Sequence, residues 1–150
     1  MQLLLDTNIL IWYFSGSDRI NSIKELISSK DVEVYISAVS YWEIVIKVRT
    51  GKLEIDINKL RQFARNHAFI ELPITGDYTQ VYLDLPDYHK DPFEWKAEEL
   101  RQYNKIPLHR KTSIFDVFHH MLIAQAITCP MRLITSDDLL AEYSSLVMVI

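Results

Sequence analysis

Five short apolar runs, each cut off by polar or turn-forming residues, set the limits on how this chain can fold. They lie at 2–5, 32–36, 69–72, 131–135 and 146–150. The first is stopped by Asp6-Thr7-Asn8 and the third by Pro73. Runs this short suit strands covered on both faces, as in a parallel sheet. Parallel strands need long crossovers, and the intervening stretches carry helical spacing. Ile20, Ile23, Leu26 and Ile27 share one helical face, as do Ile57, Leu60, Phe63 and Ala64. Tyr78, Val81, Tyr82 and Leu85 repeat the spacing after Thr75, a candidate N-cap. Residues 40–49 read as a helix closed by Gly51. Phe115, Phe118, Leu122 and Ala126 mark another. The alternation predicts an α/β fold: a central parallel sheet of about five strands between helical layers.

Composition narrows the class. A chain of 150 residues is long enough for one domain with a real core. Its 49% hydrophobic and 24% charged residues exclude a disordered chain. The single Cys129 excludes a disulfide scaffold and a multi-cysteine zinc site. Met1 to Leu5 is too short for a signal peptide, and no apolar run approaches the roughly 20 residues that span a bilayer. The expectation is a soluble protein of a reducing compartment, the cytoplasm. A net charge of −4, from 16 basic and 20 acidic residues, argues against generic nucleic-acid binding, which is normally basic.

Residues 89–113 break the pattern. Six Lys or Arg stand there against four Asp or Glu. Asp91-Pro92-Phe93-Glu94 reads as an N-cap, a first-turn proline and a third-position Glu. Phe93, Ala97, Leu100 and Tyr103 follow with helical spacing until Pro107. The stretch reads as an inserted helix and loop at about 94–113, either a solvated surface helix or a lid that meets a substrate or partner.

Carboxylates gather at element ends. Asp6 follows the first strand and Asp137 the fourth. In open α/β sheets, ligands bind beyond the carboxyl ends of the strands. Either Asp alone is equally well a turn former or helix cap. Ser40-Tyr41-Trp42-Glu43 and Ser113-Ile114-Phe115-Asp116 both fit a capping box, with the acid in a helix's first turn. Glu43 sits between apolar Trp42 and Ile44, and a carboxylate in such a setting needs a cation or hydrogen bonds. Four converging carboxylates would raise one another's pKa unless a divalent cation lay among them. Oxygen ligands suit Mg²⁺ or Mn²⁺, and such a site can acidify a bound water and stabilise a phosphodiester transition state.

The order of these segments resembles that of PIN-domain ribonucleases, particularly VapC-like toxins of type II toxin–antitoxin systems. The resemblance rests on Leu3-Leu4-Leu5-Asp6-Thr7-Asn8-Ile9-Leu10 and on Ile36-Ser37-Ala38-Val39-Ser40-Tyr41-Trp42-Glu43-Ile44, running on to Gly51-Lys52-Leu53. His89-Lys90-Asp91-Pro92-Phe93, Met121-Leu122-Ile123-Ala124-Gln125-Ala126 and Leu133-Ile134-Thr135-Ser136-Asp137 complete it. It implies a three-layer α/β/α PIN-like domain over residues 1–150 and a Mg²⁺- or Mn²⁺-dependent endoribonuclease. It assigns Asp6, Glu43 and Asp137 to the metal, with Thr7 and Asn8 supporting them.

One family segment is split. Related sequences run His-Arg/Lys-Asp-Pro-Phe-Asp without a break, whereas about twenty residues here separate His89-Lys90-Asp91-Pro92-Phe93 from Asp116. Counting back from Leu122-Ile123-Ala124, Asp116 matches the first Asp and His119 replaces the second. Asp116 and His119 share a helix face, so Asp116 can reach the metal from one turn earlier, with His119 as a ligand, phosphate contact or acid/base. Asp91 is the other candidate acid.

The first function expected is therefore metal-dependent hydrolysis of RNA by Asp6, Glu43, Asp116 and Asp137, with Lys47, Arg49 and Lys52 on the phosphates. The alternative is a catalytically weakened PIN-like module that binds RNA or protein. A phosphoacceptor receiver domain fits poorly, since the third strand runs into Leu72-Pro73-Ile74 instead of a phosphorylatable Asp. The resemblance implies a small antitoxin partner and a homodimer, with Trp12, Tyr13, Phe14 and Trp42 either lining the antitoxin groove or packing in the core.

Overall fold

The computed structural model describes residues 1–86 and 114–150. The insertion expected at about 94–113, with Asp91, lies outside the described residues. Strand β1 (Gln2–Leu5) leads into helix α1 (Thr7–Ser15), a 3₁₀ turn (Asp18–Ile20) and the short α2 (Lys24–Ile27). Strand β2 (Glu33–Ser37) is followed by α3 (Ala38–Arg49) and α4 (Ile57–Asn66). Strand β3 (Ile70–Leu72) and α5 (Gly76–Asp84) come next, then α6 (Ile114–Thr128), β4 (Arg132–Thr135), a 3₁₀ turn (Asp138–Glu142) and β5 (Val147–Val149).

The strands form one sheet in the order β3-β2-β1-β4-β5, with all four pairings parallel. The five expected strands are therefore present within a residue or two of their expected ends. A receiver-like domain would follow the order 2-1-3-4-5, so that reading is excluded by topology. The sheet reverses its direction of growth between β1 and β4, and such a switch point opens a crevice at the carboxyl edge.

Alternation along the strands divides the core into two layers. Leu3, Leu5, Val34 and Ile134 pack with Ile9, Ile20, Ile23 and Ile27. Ile36 extends that face to Leu10, Ile44, Leu60 and Ala64. Leu4 and Leu133 point the other way, onto Leu122, Ile123 and Ala126 of α6. Each such fully buried aliphatic side chain stabilises the fold by about 1.5–3 kcal/mol.

Two local features depart from the sequence reading. Helix α1 carries no amphipathic period, because Ile9-Leu10-Ile11-Trp12-Tyr13-Phe14 is apolar all round. It is wedged between the sheet and α3, where that composition fits. Helix α3 begins earlier than the capping box suggests. Ser37, at the end of β2, is its N-cap and accepts from Val39 N at 3.1 Å. Ser40 thus lies inside the helix, and Glu43 falls in its second turn. Gly51 does close α3: at φ +71° it lets Lys52 N donate to Lys47 O at 2.8 Å and Gly51 N to Val48 O at 3.1 Å, a Schellman cap.

Candidate active site

The strand register assembles the site. Leu5 pairs with Ile36 on one side and Ile134 on the other, so Ser37, Asp6 and Thr135 come next in a row across the carboxyl edge. Asp6 is the N-cap of α1 and accepts from Thr7 N through Oδ1. Its other oxygen, Oδ2, accepts from Thr135 Oγ1 at 2.7 Å. Thr135 Oγ1 also accepts from Asp137 N at 3.1 Å, so one hydroxyl ties both acids to the end of β4.

Glu43 reaches the same place from α3. Thr7 Oγ1 donates to Glu43 Oε2 at 2.6 Å, and Lys47 Nζ lies 2.7 Å from Glu43 Oε1. Asp6 is 1% exposed and Glu43 2%, so both carboxylates are essentially dry. Dryness has an electrostatic consequence. Burial pushes the Asp6 carboxyl above its ordinary range, and the Glu43 carboxylate adds to the push. The positive form of His119 and the hydrogen bonds from Thr135 and Thr7 act against it.

The remaining expected residues are placed less uniformly. Asp116 stands in the first turn of α6 and is 3% exposed. Ser113, its expected cap, lies outside the described residues. His119, one turn on, approaches Asp137, with Nδ1 3.9 Å from Oδ2. Asp137 is the N-cap of the last 3₁₀ turn and accepts from Leu139 N at 3.0 Å. Asn8 is half-buried in the first turn of α1. Of the three basic residues expected on phosphates, Lys47 joins the acidic group. Arg49 and Lys52 are exposed at the far end of α3, with Arg49 about 9 Å along the axis from Glu43. Trp12, Tyr13 and Phe14 pack against the core, whereas Trp42 is 54% exposed with its ring edge-on to Phe118. A cavity of about 360 Å³ sits at the opposite, amino edge of the sheet, lined by Tyr13, Lys30, Val32, His67 and Phe69 among others. It has no part in the acidic group.

Two side chains at the site were not singled out from the sequence. Thr135 is fully buried, and as a β-branched residue in a strand it signals nothing but strand. Ser40, three residues before Glu43 and so on its helix face, is buried, and among the described residues its Oγ has no hydrogen-bond partner. The spacing to Glu43 was the available signal there, and it was spent on the capping box.

The donor set fits a hard divalent cation. Carboxylate and hydroxyl oxygens dominate it, with the His119 imidazole beside Asp137, and the structure already sets an ammonium against one of the buried acids. Among the described residues, no group of three or more His, Cys, Asp or Glu side chains is already gathered to hold a metal.

Comparisons with known proteins agree with this architecture. The family model for the PIN domain matches residues 3–146. The chain therefore belongs to the PIN-domain family. Among solved structures it is similar to VapBC2 from Rickettsia felis bound to a DNA fragment from its promoter: TM-score 0.64, 16% identity, covering 100% of this chain and 98% of that one. It is similar also to a toxin–antitoxin complex from Klebsiella pneumoniae, with TM-score 0.58, 20% identity, and 98% and 96% coverage. FitAB bound to an IR36 DNA fragment gives TM-score 0.56, 17% identity, and 98% and 94% coverage. At these identities the likeness is one of fold. Curated protein sequences give no significant match. No helix among the described residues is long and apolar enough to cross a membrane.

Proposed function

We propose that this PIN domain is a Mg²⁺- or Mn²⁺-dependent endoribonuclease and the toxin of a cytoplasmic toxin–antitoxin pair. One observation carries the reading: two dry carboxylates, Asp6 and Glu43, bridged by Thr7 at the switch point of the sheet. Burial penalises each charge and their repulsion adds to the cost, which the Lys47 ammonium offsets at Glu43 and leaves standing at Asp6, whose pKa burial raises. A cation removes that cost.

Asp6 and Glu43 would hold the cation, with Asp116 and Asp137 completing the acidic site. When bound, the cation supplies positive charge at the scissile phosphate and lowers the pKa of an attacking water. The chain's own residues do the rest. Thr135 fixes the rotamer of Asp6, and Thr7 fixes that of Glu43. His119, beside Asp137, would hold the phosphate or pass a proton. Lys47 supplies an ammonium for RNA phosphate, with Arg49 and Lys52 contacting the strand further out.

The toxin reading draws on the PIN fold and on the complexes it resembles, one of which is a toxin–antitoxin complex by name. The partner proposed is a small antitoxin covering the active-site groove, on a homodimer of this chain. Co-expression with the adjacent small gene product should yield a stable complex, and absence of a co-purifying partner counts against toxin biology.

Incubation of structured RNAs with the protein and Mg²⁺ or Mn²⁺ tests the activity. Cleavage by the wild type and its loss in Asp6→Asn support the reading. No cleavage, together with no metal binding at millimolar concentration, overturns it. His119, where the family pattern has an acid, favours a second reading: a weakened module that binds RNA without cutting it. Metal-independent RNA binding without cleavage is its signature.

A further inference from the structure

Lys47 stands at the centre of a feature that the proposed reaction does not require. Its ammonium lies 2.7 Å from Glu43 Oε1, while Thr7 holds Oε2. Both oxygens of a nearly inaccessible carboxylate are therefore engaged by the chain itself. Exposed ion pairs contribute little, but this is no exposed pair: the Glu43 side chain is 3% accessible and that of Lys47 21%. The i,i+4 order, Glu before Lys, is the favoured one on a helix, and the Schellman cap at Gly51 takes up the Lys47 carbonyl. The placement is thus built into α3.

We propose that Lys47 is an internal counter-ion that occupies the cation seat of Glu43 until a divalent metal displaces it. The inference rests on the reading of Glu43 as a metal ligand. The carboxylate cannot remain dry and uncompensated, because removing one partner of a buried pair leaves the other charge stranded. In the metal-free protein the lysine meets that need. A divalent cation at Glu43 meets it with twice the charge, and at that distance it would repel an ammonium held on the same oxygen. Metal entry and the Lys47–Glu43 pair are therefore competing states of one site. Lysine suits this part better than arginine. Its ammonium is a point charge on a flexible four-carbon stem, with no rigid fork to keep it paired. Once displaced, it stays tethered one helical turn from Glu43, at the mouth of the site, where a phosphate would arrive. The same residue thus serves the empty site first and the substrate afterwards.

Calorimetric titration of the metal-free protein with Mn²⁺ alone tests this, on wild type, Lys47→Gln, Lys47→Arg and Glu43→Gln. Removing the competing ammonium should let Lys47→Gln bind Mn²⁺ about tenfold more tightly than wild type, which corresponds to about 1.4 kcal/mol. Its thermal unfolding should fall below wild type without metal and rise more steeply with added Mn²⁺. Lys47→Arg, which keeps the charge, should bind no more tightly than wild type. Equal or weaker binding by Lys47→Gln, with wild-type binding intact and Glu43→Gln defective, overturns the counter-ion and leaves the metal reading standing. Binding by Glu43→Gln as strong as wild type, or no binding by any of the four, overturns the metal reading of Glu43 and the counter-ion with it.

Discussion

Thr135 Oγ1 sits 2.7 Å from Asp6 Oδ2, joining the ends of two neighbouring strands that are 129 residues apart in the chain. The same oxygen accepts the Asp137 N–H. A threonine at the end of β4 thereby sets the position of both strand-end acids. Thr135→Val keeps the shape and removes both bonds, leaving a buried acceptor on Asp6 and a half-buried donor on Asp137 short of a partner. It should cost about 1–3 kcal/mol in urea unfolding, whereas Thr135→Ser should recover most of the loss. If Val is as stable as wild type, the hydroxyl has no structural part in the site.

Asp6 carries a sign that can be tested without any substrate. Its folded pKa is raised by burial and by Glu43. Between the unfolded value, 3.8, and the higher folded value, the native state holds the proton more tightly than the unfolded chain. Its contribution to stability is therefore complete below pH 3.8 and is lost as pH rises through the folded pKa. Above that, the ionised carboxylate is a fixed cost. Asp6→Asn should raise the melting temperature of the metal-free protein at pH 7, and the advantage should shrink as pH falls toward 4. An Asn variant that melts below wild type at pH 7 would contradict this account. With Mn²⁺ present the order should reverse, since only the carboxylate gains from the cation.

Much of this arrangement was legible in the sequence, and the reasons differ by residue. The five strands were visible because buried parallel strands are short apolar runs, and Asp6 and Asp137 mark where two of them stop. Helix α1 was missed because its run from Ile9 to Phe14 is apolar on every face and so has no polar side to betray its period. Glu43 was found for a partly wrong reason. Two serines, Ser37 and Ser40, both lie ahead of it, and only the end of β2 decides that Ser37 is the cap. Thr135 was hidden because its partners depend on strand register, which a linear pattern does not specify. The Glu43–Lys47 pair was open to view as an i,i+4 spacing, but the sequence reading assigns the lysine to phosphate instead.

Gly51 supports the site from a distance. Its φ of +71° terminates α3 and aligns Lys52 N on the Lys47 carbonyl. A Cβ there would meet nothing within 4 Å, so a substitution is penalised by backbone conformation alone. Gly51→Ala should lower stability by about 1–2 kcal/mol, read by thermal or urea unfolding. Gly51→Asn should be milder, because asparagine tolerates the left-handed region. Equal losses for Ala and Asn would point to a cause other than φ.

His119 occupies the position where related sequences carry an acid, and its Nδ1 lies 3.9 Å from Asp137 Oδ2. Its positive form also eases the ionisation of Asp6. His119→Asp exchanges that relief for repulsion. Without metal, the added carboxylate should destabilise the fold, because it would stand beside Asp137 and near the buried Asp6. With metal, the extra oxygen ligand should raise affinity, which follows the number of charged ligands. The two effects have opposite signs, so one variant measured with and without Mn²⁺ separates a metal site from a merely crowded acidic edge. A crowded edge predicts destabilisation alone. A metal site predicts that Mn²⁺ recovers the lost stability and raises the variant's melting temperature by more than it raises the wild type's.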